Sequence, residues 1–220
     1  LWDNHDPVLY LLQLTVRKKT GQVLGYTEYP FGFRRIEIRN RIMLLNNRRL
    51  IINGVNRHEW SAYTGRAITA REMEQDIDVM KRNNINAVRT CHYPDQAKWY
   101  SLCDQAGIYM MAETNLETHG TWQKWTGLEP SYNVPGSIPQ WLGAVMDRAQ
   151  SHFEYVKNHT SILFWSMGNE SYALDNIEKM DQYFKAKDPD RLTHYESNYW
   201  NPDYECRISD LKSRMYARPA

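Results

Sequence analysis

Hydrophobic and polar residues follow two different patterns along this chain, and the pattern changes near residue 40. In residues 9–31, short runs of apolar residues with β-type alternation are broken by glycine and proline, which is typical of antiparallel strands. The last run of this kind covers residues 31–38. Forty residues are too few for a β-sandwich, so residues 1–40 are predicted to be the C-terminal strands of one.

After residue 40 strand patterns alternate with helix patterns. A hairpin is predicted over residues 43–52, turning at the pair Asn46 and Asn47. Thr69 and Glu72 have the spacing of a capping box, which predicts that a helix begins there. Three more helices are predicted around residues 96–105, 141–156 and 177–184. The predicted strands are residues 50–55, 85–89, 108–113, 162–167, 192–195 and 212–216.

This alternation predicts βαβ units and a parallel sheet. A complete (β/α)8 TIM barrel takes about 250 residues, so residues 41–220 are expected to hold its first five to six βα units. A doubly wound sheet is the alternative, but no glycine-rich phosphate loop follows any of the strands. The chain begins with Leu1 rather than Met and stops just after a predicted strand, so we expect it to be a fragment.

Charge and cysteine content narrow the classes of partner. The 27 basic and 26 acidic residues nearly cancel, so neither nucleic acid nor a membrane surface is an expected partner. No run of 18 apolar residues exists, so no membrane span is expected. Cys91, Cys103 and Cys206 are odd in number and lack the spacing of a metal motif. They predict reduced structural thiols and a reducing, cytoplasmic location.

Polar clusters follow four consecutive predicted strands. They are residues 56–59, 89–94, 115–120 and 169–170. Any one cluster has an ordinary explanation, since a lone histidine after a strand usually caps or packs and a lone glutamate is usually solvated. Because the carboxyl ends of parallel strands share one edge, four clusters together predict a functional rim.

Two pairs on this rim have the residue types of a catalytic centre. Asn169 and Glu170 end a short apolar strand, where an amide can hold a hydroxyl and a carboxyl can move a proton. Glu117 and His119 are two residues apart and point the same way in extended backbone. They could ligate Mg²⁺ or Mn²⁺, or they could simply hydrogen bond to each other.

Five motifs resemble glycoside hydrolase family 2, and most closely its bacterial β-galactosidases. They are GVNRHE (54–59), NAVR with HYP (86–89 and 92–94), ETHG (117–120), WSMGNES (165–171) and MYAR (215–218). Their order and spacing cover almost the whole chain. The stretch from residue 120 to 141 is similar to the large subunit of two-subunit β-galactosidases.

The resemblance implies an immunoglobulin-like β-sandwich followed by a TIM barrel, and hydrolysis of terminal β-D-galactosides such as lactose with retention of configuration. By motif, Glu170 is similar to the general acid/base and Asn169 to the amide that holds the sugar 2-hydroxyl. Glu117, His119 and Glu170 match the ligands of an active-site Mg²⁺.

The remaining matches concern the sugar and the second carboxylate. His58 and His92 match histidines that line the galactose site. Arg89 is similar to an arginine that orients the nucleophile, and Tyr216 to a tyrosine close to it. The resemblance also implies a β-galactoside substrate and either a homo-oligomer or a small-subunit partner.

One residue of the family pattern is missing from this sequence. The family's nucleophile is a glutamate at the end of the seventh barrel strand, and we count at most six strands. Glu196 follows the fifth strand, and we do not assign it this role. We therefore expect no glycosidase activity from these 220 residues alone and activity from the protein that contains them.

Three other functions remain open at this point. A β-glucuronidase or β-mannosidase of the same family would place different sugar-binding residues around the same Asn–Glu pair. A non-catalytic sugar-binding or assembly fragment agrees with the missing nucleophile. A metal-dependent hydrolase would use Glu117 and His119 to activate water.

Overall fold

The computed structural model describes residues 1–124, 127–128 and 133–216, and its first part consists of short antiparallel strands. Strands β1 (Tyr10–Arg17) and β2 (Val23–Phe31) form a two-stranded hairpin whose residues are all exposed. Strands β3 (Ile36–Arg39), β4 (Ile42–Leu45) and β5 (Arg48–Arg49) form a three-stranded sheet. The turn at Asn46 and Asn47 joins β4 to β5, which confirms the predicted hairpin.

The segment between β2 and β3 departs from the strand predicted over residues 31–38. Residues 32–35 form no strand because they bind the base of the next sheet instead. The Gly32 backbone N–H donates to Thr160 Oγ1 at 2.9 Å. Arg34 donates to the carbonyls of Thr160 and Ile162 at 2.9 and 2.7 Å. β3 pairs with β4, so the chain on the two sides of residue 40 forms one sheet, and the domain boundary at that residue stays a prediction. The immunoglobulin-like sandwich also stays a prediction.

A five-stranded parallel sheet with helices between its strands forms the rest of the described chain. The strands of this sheet are β6 (Gly54–Arg57), β7 (Ala87–Thr90), β8 (Tyr109–Glu113), β11 (Ile162–Ser166) and β12 (Leu192–His194). The helices of this part are α1 (Ala70–Arg82), α2 (Ala97–Ala106), α3 (Pro139–Val156), α4 (Asp175–Lys187) and α5 (Pro202–Glu205). Two short strands, β9 (Gln123–Lys124) and β10 (Gly127–Leu128), lie between β8 and α3 in the chain. Short 3-10 helices cover His119–Thr121 and Glu196–Trp200. β9 and β10 pair only with each other, and the sheet order is β12-β11-β8-β7-β6. This order confirms the predicted succession of parallel βαβ units.

Local sequence signals start α1 and end α2. The Thr69 side chain accepts a hydrogen bond from the Glu72 backbone while the Glu72 side chain accepts one from the Thr69 backbone, so the predicted capping box is confirmed. Gly107 ends α2 with φ +71°, and a Cβ there would lie 2.8 Å from the Asn4 Cα. Glycine therefore allows both the left-handed turn and the close approach of the N-terminal segment.

The strands β8 and β11 at the middle of the parallel sheet are buried on both faces, whereas Gly54 and Asn56 of the edge strand β6 are exposed. One face packs against the helices, with Val88, Met110 and Trp165 among residues such as Met73 of α1 and Phe184 of α4. Residues on the other face belong to a second cluster, which consists of Trp2, Ile36, Leu45, Leu50, Ala87, Tyr109, Leu163 and Phe164. Burial on both sides explains why β11 is an unbroken run of large apolar residues up to Ser166.

Two further strand predictions are corrected by the structure. The first parallel strand begins at Gly54, and residues 50–53 lie outside it. Residues 212–216 form no strand, because the backbone turns at Met215 and Tyr216 and Tyr216 has φ +54°. Five parallel strands are therefore present among the described residues, within the five to six units expected. Within the same residues, no helix is long and apolar enough to cross a bilayer.

A buried arginine ties the end of β6 to the segment before α2. Arg57 donates to Asp95 Oδ2 at 2.8 Å and to Asp76 Oδ2 at 2.9 Å, and its guanidinium lies 3.7 Å from the centre of the Trp99 ring. The side chains of Arg57 and Asp95 are 5% and 0% exposed. Burial raises the pKa of Asp95 to about 7, against the opposing effect of Arg57.

We predict that Arg57→Ala lowers the free energy of unfolding by about 3–5 kcal/mol, because it leaves the Asp95 carboxylate buried without its cation. Arg82→Ala is the matched control, since the Arg82–Asp78 pair is exposed on both sides and 3.8 Å apart. The control should change stability by less than about 1 kcal/mol. The measurement is the unfolding midpoint of the protein that carries this chain in full; equal shifts for the two variants would contradict the prediction.

Candidate active site

The parallel strands bring the predicted site residues to one edge of the sheet. His58 follows β6 directly, and His92 lies two residues after β7. Asn169 and Glu170 lie just after β11, while Glu117 and His119 lie in the segment after β8. Arg89 is inside β7, opposite Asn56 of β6 and Met111 of β8. The candidate residues are therefore neighbours in space although 112 positions separate His58 from Glu170.

Glu113, the last residue of β8, is the centre of this edge. Its side chain is 0% exposed and accepts hydrogen bonds from Arg89 Nε at 2.5 Å, His92 Nδ1 at 2.6 Å and Ser166 Oγ at 2.8 Å. Burial raises the pKa of the Glu113 carboxyl, but His92, Arg89 and Ser166 together outweigh burial and hold it below its usual value. Glu113 is therefore a fixed anion that orients its neighbours.

A second hydrogen bond fixes Ser166 and His194 behind Glu113. Ser166 Oγ lies 3.1 Å from His194 Nδ1, and because the serine hydroxyl donates to Glu113 it accepts from the Nδ1–H tautomer of the histidine. Burial, and then the charge of Arg89, lower the pKa of His194 to about 4, although Glu113 acts in the opposite sense. His194 is therefore a neutral donor at neutral pH.

Arg89 also sets the orientation of the Asn169 amide. Its Nη2 donates to Asn169 Oδ1 at 2.9 Å, and its Nη1 donates to Asn56 Oδ1 at 3.4 Å. With Oδ1 engaged in this way, the Asn169 NH₂ group is the part of the amide left to donate to a ligand. Asn169 is 4% exposed, so its position is set by the protein around it.

Glu117, His119 and Glu170 form a cluster with the donor atoms of a divalent-cation site. One ligand atom from each of the three side chains lies within 4.8 Å of the other two. His119 Nδ1 is 3.0 Å from Glu170 Oε2, so the partner of His119 in the structure is Glu170, whereas the alternative from the sequence was a hydrogen bond to Glu117. Two carboxylates and one imidazole suit Mg²⁺ or Mn²⁺.

The two loops that carry this cluster are held together by hydrogen bonds to backbone carbonyls. The Asn169 N–H donates to the Leu116 carbonyl at 2.8 Å, and Trp122 Nε1 donates to the Glu170 carbonyl at 2.9 Å. At Gly168, where φ is +148°, a Cβ would lie 2.4 Å from the Leu116 oxygen. Only glycine allows this approach of the two loops.

The side of the rim formed by β6 and β7 carries a pair of histidines. The His58 and His92 rings meet edge to face with centroids 5.5 Å apart, and His58 Nδ1 lies 3.3 Å from the Tyr93 hydroxyl. Burial, followed by the charges of His92 and Arg66, lowers the pKa of His58, although Glu117 acts in the opposite direction. His58 is exposed, so its neutral ring can take part in binding.

An open cleft of about 730 Å³ runs along the inner face of the sheet. Arg89, His194, Glu196 and Tyr216 are among the residues that line it. Burial raises the pKa of Glu196 to about 7, and both of its oxygens lie 2.7 Å from Ser197 Oγ. The charges of Glu113 and Glu170 add to the rise, whereas Ser197 and Arg89 oppose it. The Tyr216 side chain is 91% exposed at the wall of this cleft.

Sequence reasoning did not find four polar residues that organise the site, namely Glu113, Ser166, His194 and Tyr195. A carboxylate that ends the run YMMAE and a serine that ends ILFWS were available signals, because a polar residue at the last position of a buried strand needs a partner. Tyr195 accepts from the Ser171 N–H at 3.1 Å and donates to the Ser171 carbonyl. Its role depends on a contact that no sequence pattern indicates.

Parts of two predicted motifs lie outside the described residues. These are residues 217–218 of the MYAR motif, and residues 125–126 and 129–132 of the stretch that resembles large subunits.

Comparison with protein families matches this chain to one family over most of its length. The model of the TIM barrel domain of glycosyl hydrolases family 2 matches residues 36–220. The chain is 60% identical over 220 residues to the β-galactosidase large subunit of Lactobacillus acidophilus and 58% identical over 219 residues to that of Latilactobacillus sakei. It spans 35% of the length of each of these relatives.

A solved structure shares the fold. A β-glucuronidase of Bacteroides uniformis superposes with a TM-score of 0.78 at 23% sequence identity, covering 98% of this chain and 26% of that one. At this identity the likeness concerns the fold alone.

We predict that Gly168→Ala destabilises the protein by about 1–3 kcal/mol, because the added methyl group strains the backbone and pushes the Leu116 loop away. Gly143→Ala is the control, since Gly143 lies within α3 and a Cβ there meets nothing within 4 Å. Alanine is the better helix former, so the control should be neutral or stabilising by up to about 1 kcal/mol. Thermal unfolding midpoints check this; a neutral Gly168→Ala would contradict the close approach.

Proposed function

This chain belongs to glycosyl hydrolases family 2, and from that premise we propose that the protein carrying it hydrolyses terminal β-D-galactosides, such as lactose, with retention of configuration. The observation that supports this most directly is the arrangement at the end of β11. There Asn169 is oriented by Arg89, and Glu170 stands beside His119. The names of the sequence relatives favour a galactosidase over the other enzymes of the family.

Glu170 is proposed as the general acid/base. It is partly exposed, as a group that must reach a substrate oxygen has to be, and its backbone is held by Trp122. In a retaining enzyme this residue protonates the departing oxygen and later takes a proton from water. His119, at 3.0 Å from Glu170 Oε2, fixes the carboxyl in one orientation.

The sugar is proposed to be held by Asn169 and His92, whose positions are fixed by Arg89 and Glu113, together with the exposed His58. The Asn169 NH₂ group donates to the sugar 2-hydroxyl, because Arg89 occupies the amide oxygen. His58 and His92 lie on the neighbouring strand ends, and Glu113 holds the His92 ring through Nδ1. Little conformational freedom is then lost when the sugar binds.

The nucleophilic carboxylate is proposed to come from a part of the protein outside these 220 residues. A retaining site needs a second carboxylate about 5 Å from the first. Glu113 is enclosed by Arg89, His92 and Ser166, and Glu196 is 2% exposed and bonded to Ser197, so neither is free to attack. Arg89 and Tyr216 line the cleft in which such a carboxylate would be received.

Mg²⁺ is the proposed cofactor, held by Glu117, His119 and Glu170. The donor set of these residues fits the ion, with ligand atoms within 4.8 Å of one another. A bound cation would supply positive charge next to the acid/base carboxyl. His119 by itself orients Glu170 and limits where its proton can be delivered.

Three alternatives keep less support. The β-glucuronidase described above is similar in fold at 23% identity, whereas the relatives at 58–60% identity are called β-galactosidase large subunits. A non-catalytic sugar-binding or assembly fragment does not account for the charged rim organised around Glu113. A hydrolase that activates water on a metal gives no role to the Asn169 amide fixed by Arg89.

A small-subunit partner and a cytoplasmic location are proposed as well. The two relatives described above are called large subunits, which supports a second subunit in the present protein. The three cysteines are free thiols in the structure, in agreement with a reducing compartment.

We predict that Glu170→Gln lowers kcat/KM, which reports the step in which the leaving group departs, by about 10²–10⁴-fold for an alkyl β-galactoside, because the amide cannot donate the proton. The loss should be smaller for an aryl galactoside with an acidic phenol, which departs without protonation. Glu154→Gln, at an exposed position of α3, is the matched control and should keep the wild-type rate. Steady-state kinetics of the full-length protein decide this. Equal losses of kcat/KM on both substrates would reject Glu170 as the acid, and a wild-type protein that hydrolyses glucuronides but no galactosides would reject the galactosidase assignment.

We also predict that chelation of divalent cations lowers kcat and that added Mg²⁺ restores it. Glu117→Gln removes one carboxylate ligand and should raise the Mg²⁺ concentration needed for half-maximal activity by about 10–100-fold. Glu74→Gln, an exposed change on α1, serves as the control. The measurement is activity against free Mg²⁺; an unchanged titration curve for Glu117→Gln would contradict this ligand set.

A further inference from the structure

His58, Cys91 and His92 form a second group of metal-ligating side chains on the rim. One ring nitrogen of each histidine and the Cys91 sulfur lie within 4.8 Å of one another. Among the described residues this is the one such group that contains a thiol. It is separate from the oxygen-rich group of Glu117, His119 and Glu170, with which it shares no residue.

Strand pairing places these three residues together. Arg57 of β6 is paired with Thr90 of β7, so His58 and Cys91 are the next residues on the two strand ends. The Cys91 N–H donates to the Arg57 carbonyl at 3.0 Å and keeps the two ends in register. Since Arg57 is itself fixed by Asp95, the backbone under the group is rigid.

The histidines are held as metal ligands usually are. Glu113 accepts a hydrogen bond from His92 Nδ1 at 2.6 Å, so the ring is fixed and its Nε2 is left with a lone pair. A carboxylate behind a histidine in this manner is the usual support of a metal-bound imidazole. His58 Nδ1 is likewise 3.3 Å from the Tyr93 hydroxyl.

The donor set selects the class of ion. One thiolate and two imidazoles favour Zn²⁺ or a similar thiophilic cation over Mg²⁺. In tetrahedral zinc sites the ligand atoms are about 3.3–3.8 Å apart, as follows from Zn–N and Zn–S bonds of about 2.0–2.3 Å. The three side chains need to close by only about 1 Å, and His58 is exposed and can move. The fourth position would stay open for water.

We propose that His58, Cys91 and His92 bind one Zn²⁺ or similar thiophilic divalent cation, with release of the Cys91 thiol proton to solvent. Cys91 is 1% exposed, so it lies at the floor of the site, with His58 at its mouth. The inhibitory consequence rests on the proposed function. If His58 and His92 bind the sugar, an ion on the same imidazoles competes with the galactoside.

The first experiment tests the ligands without using activity. Co²⁺ is titrated into the full-length protein with Mg²⁺ in excess, and the thiolate-to-Co²⁺ charge-transfer absorption is recorded. A band is expected in the wild-type protein, and it is expected to vanish in Cys91→Ser. Cys206→Ser is the matched control, since Cys206 is an exposed free thiol, and it should keep the band.

His58→Ala guards against misfolding of the buried Cys91 variant. Because His58 is exposed, this change leaves the fold intact and should weaken Co²⁺ affinity by about 10-fold or more. The proposal is overturned if the wild-type protein gives no band, if the band persists in Cys91→Ser, or if it disappears in Cys206→Ser. It is also overturned if His58→Ala binds Co²⁺ as tightly as the wild-type protein.

The second experiment tests inhibition. Zn²⁺ is titrated against galactoside hydrolysis, and each variant is compared with its own rate without zinc. The concentration for half-inhibition should rise by about 10-fold or more in Cys91→Ser, remain unchanged in Cys206→Ser, and rise with galactoside concentration in the wild-type protein. An equal zinc sensitivity of both variants overturns the inhibitory role. A band without any galactosidase activity overturns the proposed function and leaves the metal site standing.

Discussion

The site depends on one buried negative charge. Glu113 has no exposed surface, and a carboxylate removed from water in this way is stable only when cations and donors surround it. Arg89, His92 and Ser166 meet that need: Arg89 lies in β7, His92 follows the end of β7, and Ser166 ends β11. Because Arg89 has further donors, the same contact that neutralises Glu113 also orients Asn169. The arginine that compensates the buried charge of Glu113 therefore also holds Asn169, the residue next to Glu170, in a fixed orientation.

Close backbone contact between two loops places the proton-transfer residue. The segments around Leu116 and Gly168 touch so closely that no side chain fits between them. Their contact brings Glu117 and His119, which follow β8, to Glu170, which follows β11. The parallel arrangement of β8 and β11 makes this possible, since both strands end at the same edge. The geometry of the acid/base group is therefore a property of the sheet as much as of its own sequence.

The rim holds two groups of donor atoms that differ in chemical character. Glu117, His119 and Glu170 offer mostly oxygen, whereas His58, Cys91 and His92 offer nitrogen and sulfur. Glu113 accepts a hydrogen bond from His92 of the second group. It also binds Arg89, which in turn donates to Asn169, the residue next to Glu170 of the first group. A hard cation such as Mg²⁺ and a thiophilic cation such as Zn²⁺ would then bind at separate places on the same edge. Each would affect the binding of a sugar through a different group of residues.

Local sequence patterns were enough to predict most of the strands and helices and the polar rim at the strand ends. The capping box at Thr69, the turn at Asn46 and Asn47, and the apolar run of β11 are local signals, and the structure contains all three. Local patterns also placed Asn169 and Glu170 just after that strand. They misplaced the start of β6, which begins at Gly54. They also predicted a strand at residues 212–216, where the backbone instead turns at Tyr216. Tertiary contacts place Glu113 at the centre of the site and bring Cys91, which has no metal-motif spacing, beside two histidines. The physical reason is that strand register joins residues far apart in the chain, while a sequence pattern records only neighbours along it.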